Sequence, residues 1–159
     1  MKRTGWLFCL MFGVTILAGC GGDEDHVNIF HAVFTANGNA LDYTTTIGFT
    51  NIGIGGYSIA YSEDRNNPTG KNYLQINLPA NVKAGDVFTH PSASSLILYQ
   101  DAQGNWHDAR NNNSTMRIEV TSWQIGGYGK GTFTATLIDD FGNPAVIIPN
   151  GTFEGFIHN

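Results

Sequence analysis

From Val27 onward the apolar residues follow no 3.6-residue period over any stretch of about ten residues or more; they alternate with polar ones in short runs. The longest run, Met116 to Leu137, restricts the fold most. Met116, Ile118 and Val120 alternate with Arg117, Glu119 and Thr121, and past Gly126-Gly127 the residues Phe133, Ala135 and Leu137 alternate with Thr132, Thr134 and Thr136. A two-residue turn at Gly126-Gly127 predicts the pairs Met116 with Leu137, Ile118 with Ala135, Val120 with Phe133 and Ser122 with Gly131, all on one face. Arg117, Glu119 and Thr121 then face solvent opposite Thr136, Thr134 and Thr132. A one-residue slip would bury both charges, so the pattern selects a hairpin with one wet face.

Two further dipeptides read as tight turns. Asn37-Gly38 predicts a type I′ hairpin with Phe34 opposite Leu41 and Ala32 opposite Tyr43. Asn150-Gly151 predicts another, with Ile148 opposite Phe153 and Pro149 marking an edge strand. Strands are expected around residues 47–61, 72–79 and 94–100. Polar connections are expected over Ser62–Lys71 and Asp101–Ser114. Runs rich in Thr, Val, Ile, Phe and Tyr, broken by Gly, Asn and Pro at roughly ten-residue spacing, specify an all-β fold. The expectation is a single domain over residues 27–159, an antiparallel β-sandwich of roughly eight or nine strands, immunoglobulin-like or jelly-roll-like, with a β-barrel as the alternative.

The N-terminus has a different character. Lys2 and Arg3 precede an apolar run from Trp6 to Ile16, and Leu17-Ala18-Gly19-Cys20 follows. This order is that of a secretory signal, with an apolar run too short to span a bilayer stably. The last four residues resemble the lipobox of bacterial lipoproteins, which implies cleavage before Cys20 and a diacylglycerol on its sulfur. Residues 1–19 are then the signal peptide, and residues 20–26 the lipidated cysteine and an acidic Gly-Gly-Asp-Glu-Asp-His tether. Acidic residues just after the cysteine also resemble the export signal of surface lipoproteins in Bacteroidota-type bacteria, and Gly21 resembles the pattern that is not retained in the inner membrane. The resemblance implies the outer membrane, facing either the periplasm or the exterior.

The chain has only two cysteines; Cys9 leaves with the signal and Cys20 carries the lipid, so no thiol remains for a disulfide, a Cys-ligated metal or a Cys nucleophile. Removal of Lys2 and Arg3 leaves six basic residues against thirteen acidic ones, a net charge of −7. Such a domain has no basic footprint for nucleic acid or anionic headgroups, and its membrane contact comes through the lipid. Leu78-Pro79, Ala84-Gly85, Gly131 to Phe133 and Asn150 to Phe153 resemble a group of small all-β lipoproteins of unknown function in Bacteroidota-type bacteria. That group brings no activity with it.

No Gly-x-Ser-x-Gly occurs, and His107 and Asp108, adjacent on a strand, would project to opposite faces, so no catalytic triad is expected. Glu63, Asp64, Glu119 and Glu154 could supply a carboxylate pair for glycoside hydrolysis but read more simply as solvated side chains. The histidines, His26, His31, His90, His107 and His158, include no pair at metal-ligand spacing. Asp101 to Asn105 resembles a calcium loop, yet Trp106 stands where that loop needs Gly and Asn112 where it needs Glu, so a polar turn is expected. Asp139 to Asn143 reads likewise as a turn. No metal or other cofactor is expected.

The register derived for the long hairpin places Trp123 opposite Lys130 and Ile125 opposite Tyr128 on the solvent face. Trp123, Ile125, Tyr128 and Lys130 thus form a candidate patch for a ligand or partner, with Trp106, in a separate loop, as a weaker one. The leading expectation is a non-enzymatic, membrane-anchored lipoprotein of the cell envelope with a binding or structural role. The alternatives are a carbohydrate-binding module that stacks sugars on those aromatics and an envelope hydrolase with a carboxylate pair. Its partners would be the membrane and a glycan or an envelope protein.

Overall fold

The computed structural model describes residues 28–64, 72–92, 94–139 and 145–159. The expected signal peptide, Cys20, the expected tether with His26, the Asn66-Asn67-Pro68 segment and residues 140–143 of the expected second turn lie outside the described residues.

The described chain is all-β, as the alternation predicts. Its strands are β1 (Phe30–Ala36), β2 (Asn39–Thr45), β3 (Thr50–Asn51), β4 (Tyr57–Ser62), β5 (Tyr73–Leu78), β6 (Val87–Phe88), β7 (Leu96–Gln100), β8 (Trp106–Asp108), β9 (Thr115–Trp123), β10 (Tyr128–Leu137), β11 (Val146–Ile148) and β12 (Gly151–Phe156). All join one antiparallel sheet in the order β6-β9-β10-β12-β1-β2-β4-β5-β7-β8, with β11 beside β10 and β3 beside β4, and the sheet curls into a half-barrel. An isolated bridge between Asp108 and Ile138 brings the last strand of that path back to the end of β10. Ser114 ties the junction: its hydroxyl donates to the Asp108 carbonyl (2.9 Å) and accepts from the Ile138 N–H (2.9 Å). The core fills the concave side, with Phe34, Tyr43, Ile76, Ile97, Ile118 and Phe133 all buried.

The Asn37-Gly38 hairpin forms as expected. Asn37 (φ +49°) and Gly38 (φ +83°) are both left-handed, and Phe34 pairs with Leu41 and Ala32 with Tyr43. The long hairpin keeps the expected faces but not the expected register: Met116 pairs with Ala135, Ile118 with Phe133 and Val120 with Gly131. Its turn is centred one residue earlier, closed by the Gly127 N–H donating to the Gln124 carbonyl (2.9 Å), with Gly126 at φ +71°. A bulge at Thr121 then adds one residue to β9, and the Thr121 hydroxyl donates to the Lys130 carbonyl there (3.2 Å). The two effects together displace the pairing by two residues, which leaves Arg117 and Glu119 outside.

Asn150-Gly151 is not a hairpin. Ile148 pairs with Ala135, Phe153 pairs with Gly131 and Ala32, and neither Asn150 nor Gly151 has positive φ. β11 and β12 are two halves of one strand along β10, offset by one residue at Pro149-Asn150. Pro149 marks that bulge rather than an edge, since β12 lies between β10 and β1.

A repeated Gly-x-Phe pattern explains why β10 and β12 fit. Antiparallel pairing sets Gly131 opposite Phe153, and the same register brings Gly151 to Phe133. A Cβ on Gly151 would lie 2.4 Å from the Phe133 ring, and one on Gly131 would lie 2.5 Å from the Phe153 ring and 2.4 Å from the Glu119 carbonyl oxygen. Each aromatic ring occupies the space that the opposite glycine leaves.

Two ends of the half-barrel differ in character. The Asn37-Gly38 turn, the last residues before and first after the β4–β5 connection, and the β7–β8 turn gather at one end and enclose a polar cavity. The start of β1, the β9–β10 turn and the end of β12 gather at the other, where Gly126 N–H donates to the Ile157 carbonyl and Ile157 N–H to that of Gly127.

Candidate functional site

The four residues of the expected patch do not come together. Past the Thr121 bulge, Trp123 pairs with Gly129 and turns to the concave side, where its indole packs edge-on against Phe49 (5.0 Å) and Tyr57 (5.2 Å). Gly129 allows this, because a Cβ there would lie 2.7 Å from the indole ring. Tyr128 and Lys130 stay outside; the Lys130 ammonium sits 5.8 Å from the Tyr128 ring and 2.8 Å from the Glu154 carboxylate opposite, which raises its pKa. Ile125 projects from the turn. Trp106 belongs to β8 rather than to a loop and lies outside against Tyr73 (5.5 Å), while its neighbour His107 turns inward.

The polar cavity is the more ordered site. It measures about 500 Å³, and its lining among the described residues includes Tyr43, Glu63, Tyr99, Asp101, Asn105 and His107. Strand alternation places these groups: β2 delivers Tyr43, β7 Tyr99, and β8 His107, while Glu63 and Asp101 directly follow β4 and β7. Tyr43 and Tyr99 stack with centroids 6.5 Å apart and planes 15° from parallel.

Asp101 organises the β7–β8 turn. Its Oδ1 accepts from the Gln103 and Asn105 N–H groups (2.9 and 2.8 Å), and its Oδ2 accepts from the Asn105 side chain (3.0 Å) and lies 3.4 Å from His107 Nε2. His107 is 1% exposed, and its Nδ1 has no partner among the described residues. With Nε2 protonated towards Asp101, Nδ1 is an acceptor. Asp108, by contrast, faces Arg110 (2.5 Å), so the carboxylate that meets His107 is six positions away and not its neighbour. Glu63 and Asn72 clasp the ends of the β4–β5 connection: the Asn72 side-chain amide donates to Glu63, whose N–H donates to the Asn72 carbonyl (3.2 Å).

Among the described residues, the carboxyl groups at the cavity are those of Glu63 and Asp101. Burial raises the pKa of Tyr43 well beyond its ordinary value, and the Tyr99 hydroxyl, Glu63 and Asp101 raise it further; burial, Asp101 and Glu63 likewise raise Tyr99 against the lowering effect of its bond to Tyr43. Both phenols therefore remain neutral hydrogen-bonding groups. At Asp101 burial pushes the carboxyl up, but the hydrogen bonds from Asn105, His107 and Gln103 together hold it below the ordinary carboxylate range. A carboxyl lowered in this way contributes stability that is complete above the unfolded-chain pKa and is lost as pH falls through the folded one. The Gln103 and Asn105 amide resonances should accordingly titrate with a midpoint below about 3.9, the value of an unperturbed aspartate. A midpoint at or above that value would mean that the turn does not hold the charged form.

Sequence reasoning located the Asp101 turn but not the cavity, whose contributors are spread from Tyr43 to His107 and converge only through the β2-β4-β5-β7-β8 order. The one local signal was inward phase: Tyr43, Tyr99 and His107 each occupy a core-facing position with a polar group. No known protein family, curated protein or solved structure matches this chain.

Proposed function

We propose that this chain is a lipid-anchored lipoprotein of a bacterial cell envelope, attached through Cys20 to the outer membrane, whose half-barrel binds a small ligand bearing a protonated amine. The observation that carries the binding reading is the cavity itself, a hollow of about 500 Å³ whose wall includes two carboxylates, Glu63 and Asp101, and two phenols, Tyr43 and Tyr99. Two carboxylates in the wall, Glu63 and Asp101, favour a cation. Asp101, held in its charged form, suits a cationic ligand and does not itself serve as a general acid.

Calorimetric titration of the full chain with spermidine and with glucosamine, against glucose and glucuronate, tests the ligand class. The amines should bind, and Glu63→Gln or Tyr99→Ala should weaken them about tenfold, equivalent to about 1.4 kcal/mol. Glucose binding as tightly as glucosamine would show that the cavity reads hydroxyls instead of charge; no binding by any of the four at millimolar concentration would overturn the reading. The anchor has its own test. Cys20→Ser should abolish lipid labelling and release the protein from the membrane fraction with its β-fold intact, whereas a variant that stays membrane-bound with its N-terminus uncut would refute lipidation.

A further inference from the structure

The end of the half-barrel opposite the cavity is apolar, and it is the end from which the chain departs towards Cys20. Four of the eight exposed large apolar residues among those described gather there: Ile47 and Ile125 at 58%, Ile52 at 44% and Tyr128 at 42% exposure. Backbone hydrogen bonds join them into one rim. Gly126, next to Ile125, donates to the Ile157 carbonyl, His158 N–H donates to the Phe49 carbonyl, and the segment from Phe49 leads through β3 to Ile52. Phe156 bridges the rim, edge-on to Tyr128 (5.8 Å) and to His158 (5.2 Å). An apolar hollow of about 370 Å³ beside Phe156 and His158 is lined also by Asn28, where the described chain begins.

We infer that this end rests on the lipid bilayer that holds Cys20, so that the half-barrel stands on the membrane with its polar cavity facing away. The inference rests on the lipid attachment proposed above. Residues 20–27 span at most about 28 Å when extended, so the lipid holds the start of β1 close to the bilayer. Residues 21–26 have no apolar side chain and cannot themselves cover the rim. Isoleucine and aromatic groups at a headgroup boundary gain apolar burial, and the tyrosine and histidine keep their polar tips wet. The acidic charge of the mature domain adds no attraction to anionic lipid, which leaves apolar contact and the anchor to set the orientation.

Because Cys20 is thioether-linked and Cys9 is removed, an introduced cysteine is the only free thiol in the mature protein. Bimane attached to Ile125→Cys or, at the cavity end, to Asn112→Cys reports the orientation in the full lipidated protein. The vesicles are phosphatidylethanolamine and phosphatidylglycerol doped with nitroxide lipid. Both positions are exposed, so neither label disturbs the core. Position 125 should be quenched at least threefold more strongly than position 112. Equal quenching in a protein that floats with the vesicles overturns the orientation and leaves the anchor standing. Failure to float overturns both. A bimane blue shift at position 125 that depends on protein concentration without lipid would show that a second copy covers the rim, which also overturns the inference.

Discussion

Gly131→Ala is expected to lower the stability of the domain by about 2–3 kcal/mol, a fall in melting temperature on the order of 10 °C. The added methyl meets the Glu119 carbonyl oxygen at 2.4 Å and the Phe153 ring at 2.5 Å. The ring could tilt, but the carbonyl belongs to the neighbouring strand and moves only if β9 and β10 separate. Gly151→Ala differs in kind, since its three nearest contacts are all atoms of the Phe133 ring. Phe133→Leu should therefore relieve Gly151→Ala partly, with a coupling of about 1 kcal/mol, whereas Phe153→Leu should not rescue Gly131→Ala. Urea denaturation of the two pairs measures both effects. A Gly131→Ala protein within about 0.5 kcal/mol of the parent would show that the aromatic rings do not fill the glycine positions.

Trp123→Ala should cost about 3 kcal/mol, because it removes a large aromatic group from between Phe49 and Tyr57 and leaves the space over Gly129 empty. Tyr128→Ala, on the outer face of the adjoining strand, should cost less than about 1 kcal/mol. Thermal denaturation monitored by near-ultraviolet circular dichroism checks the contrast and also whether the indole sits in a fixed chiral environment. Equal small losses for both variants would return Trp123 to the solvent face and with it the unbulged hairpin. Under the bulged register, Trp123→Ala changes stability and leaves amine binding in the cavity unaltered once the protein is folded.

Face, strand content and two-residue turns were legible wherever a single local rule decided them. Asn37-Gly38 is such a case: both residues adopt left-handed φ readily, so the dipeptide sets the β1–β2 register. The long hairpin was half legible. Its alternation assigns Arg117 and Glu119 to solvent under any even displacement, and the displacement of two satisfies the same pattern equally well. The extra residue at Thr121 was not legible, because it depends on what lies beneath: Gly129 offers a hole that the Trp123 indole fills. That single bulge reverses the faces of every residue beyond it in β9, which is why the expected aromatic patch dissolves.

Asn150-Gly151 misleads for a related reason. The dipeptide can form a type I′ turn, but β10 is long enough to pair with both flanking segments, and extended pairing with β10 and β1 buries Phe153 and Ile148 together. Tertiary burial outweighs the local preference of two residues. The cavity was hidden for a different reason: Tyr43, Glu63, Asp101 and His107 belong to separate strand ends, and no spacing between them carries information until the strand order is known.

By itself the sequence determined the all-β class, the wet and dry faces of its strands, the Asn37-Gly38 hairpin and the polar turn at Asp101. Those follow from side-chain period and from the φ preferences of a few residues, which act over distances of two to four positions. Only the tertiary structure decided the register past Thr121, the joining of β11 to β12, the inward turn of Trp123 and the meeting of His107 with Asp101 beneath two stacked tyrosines. Each of these depends on volume filled or left empty by residues distant in the chain, and close packing is a property of the assembled sheet, not of any one strand.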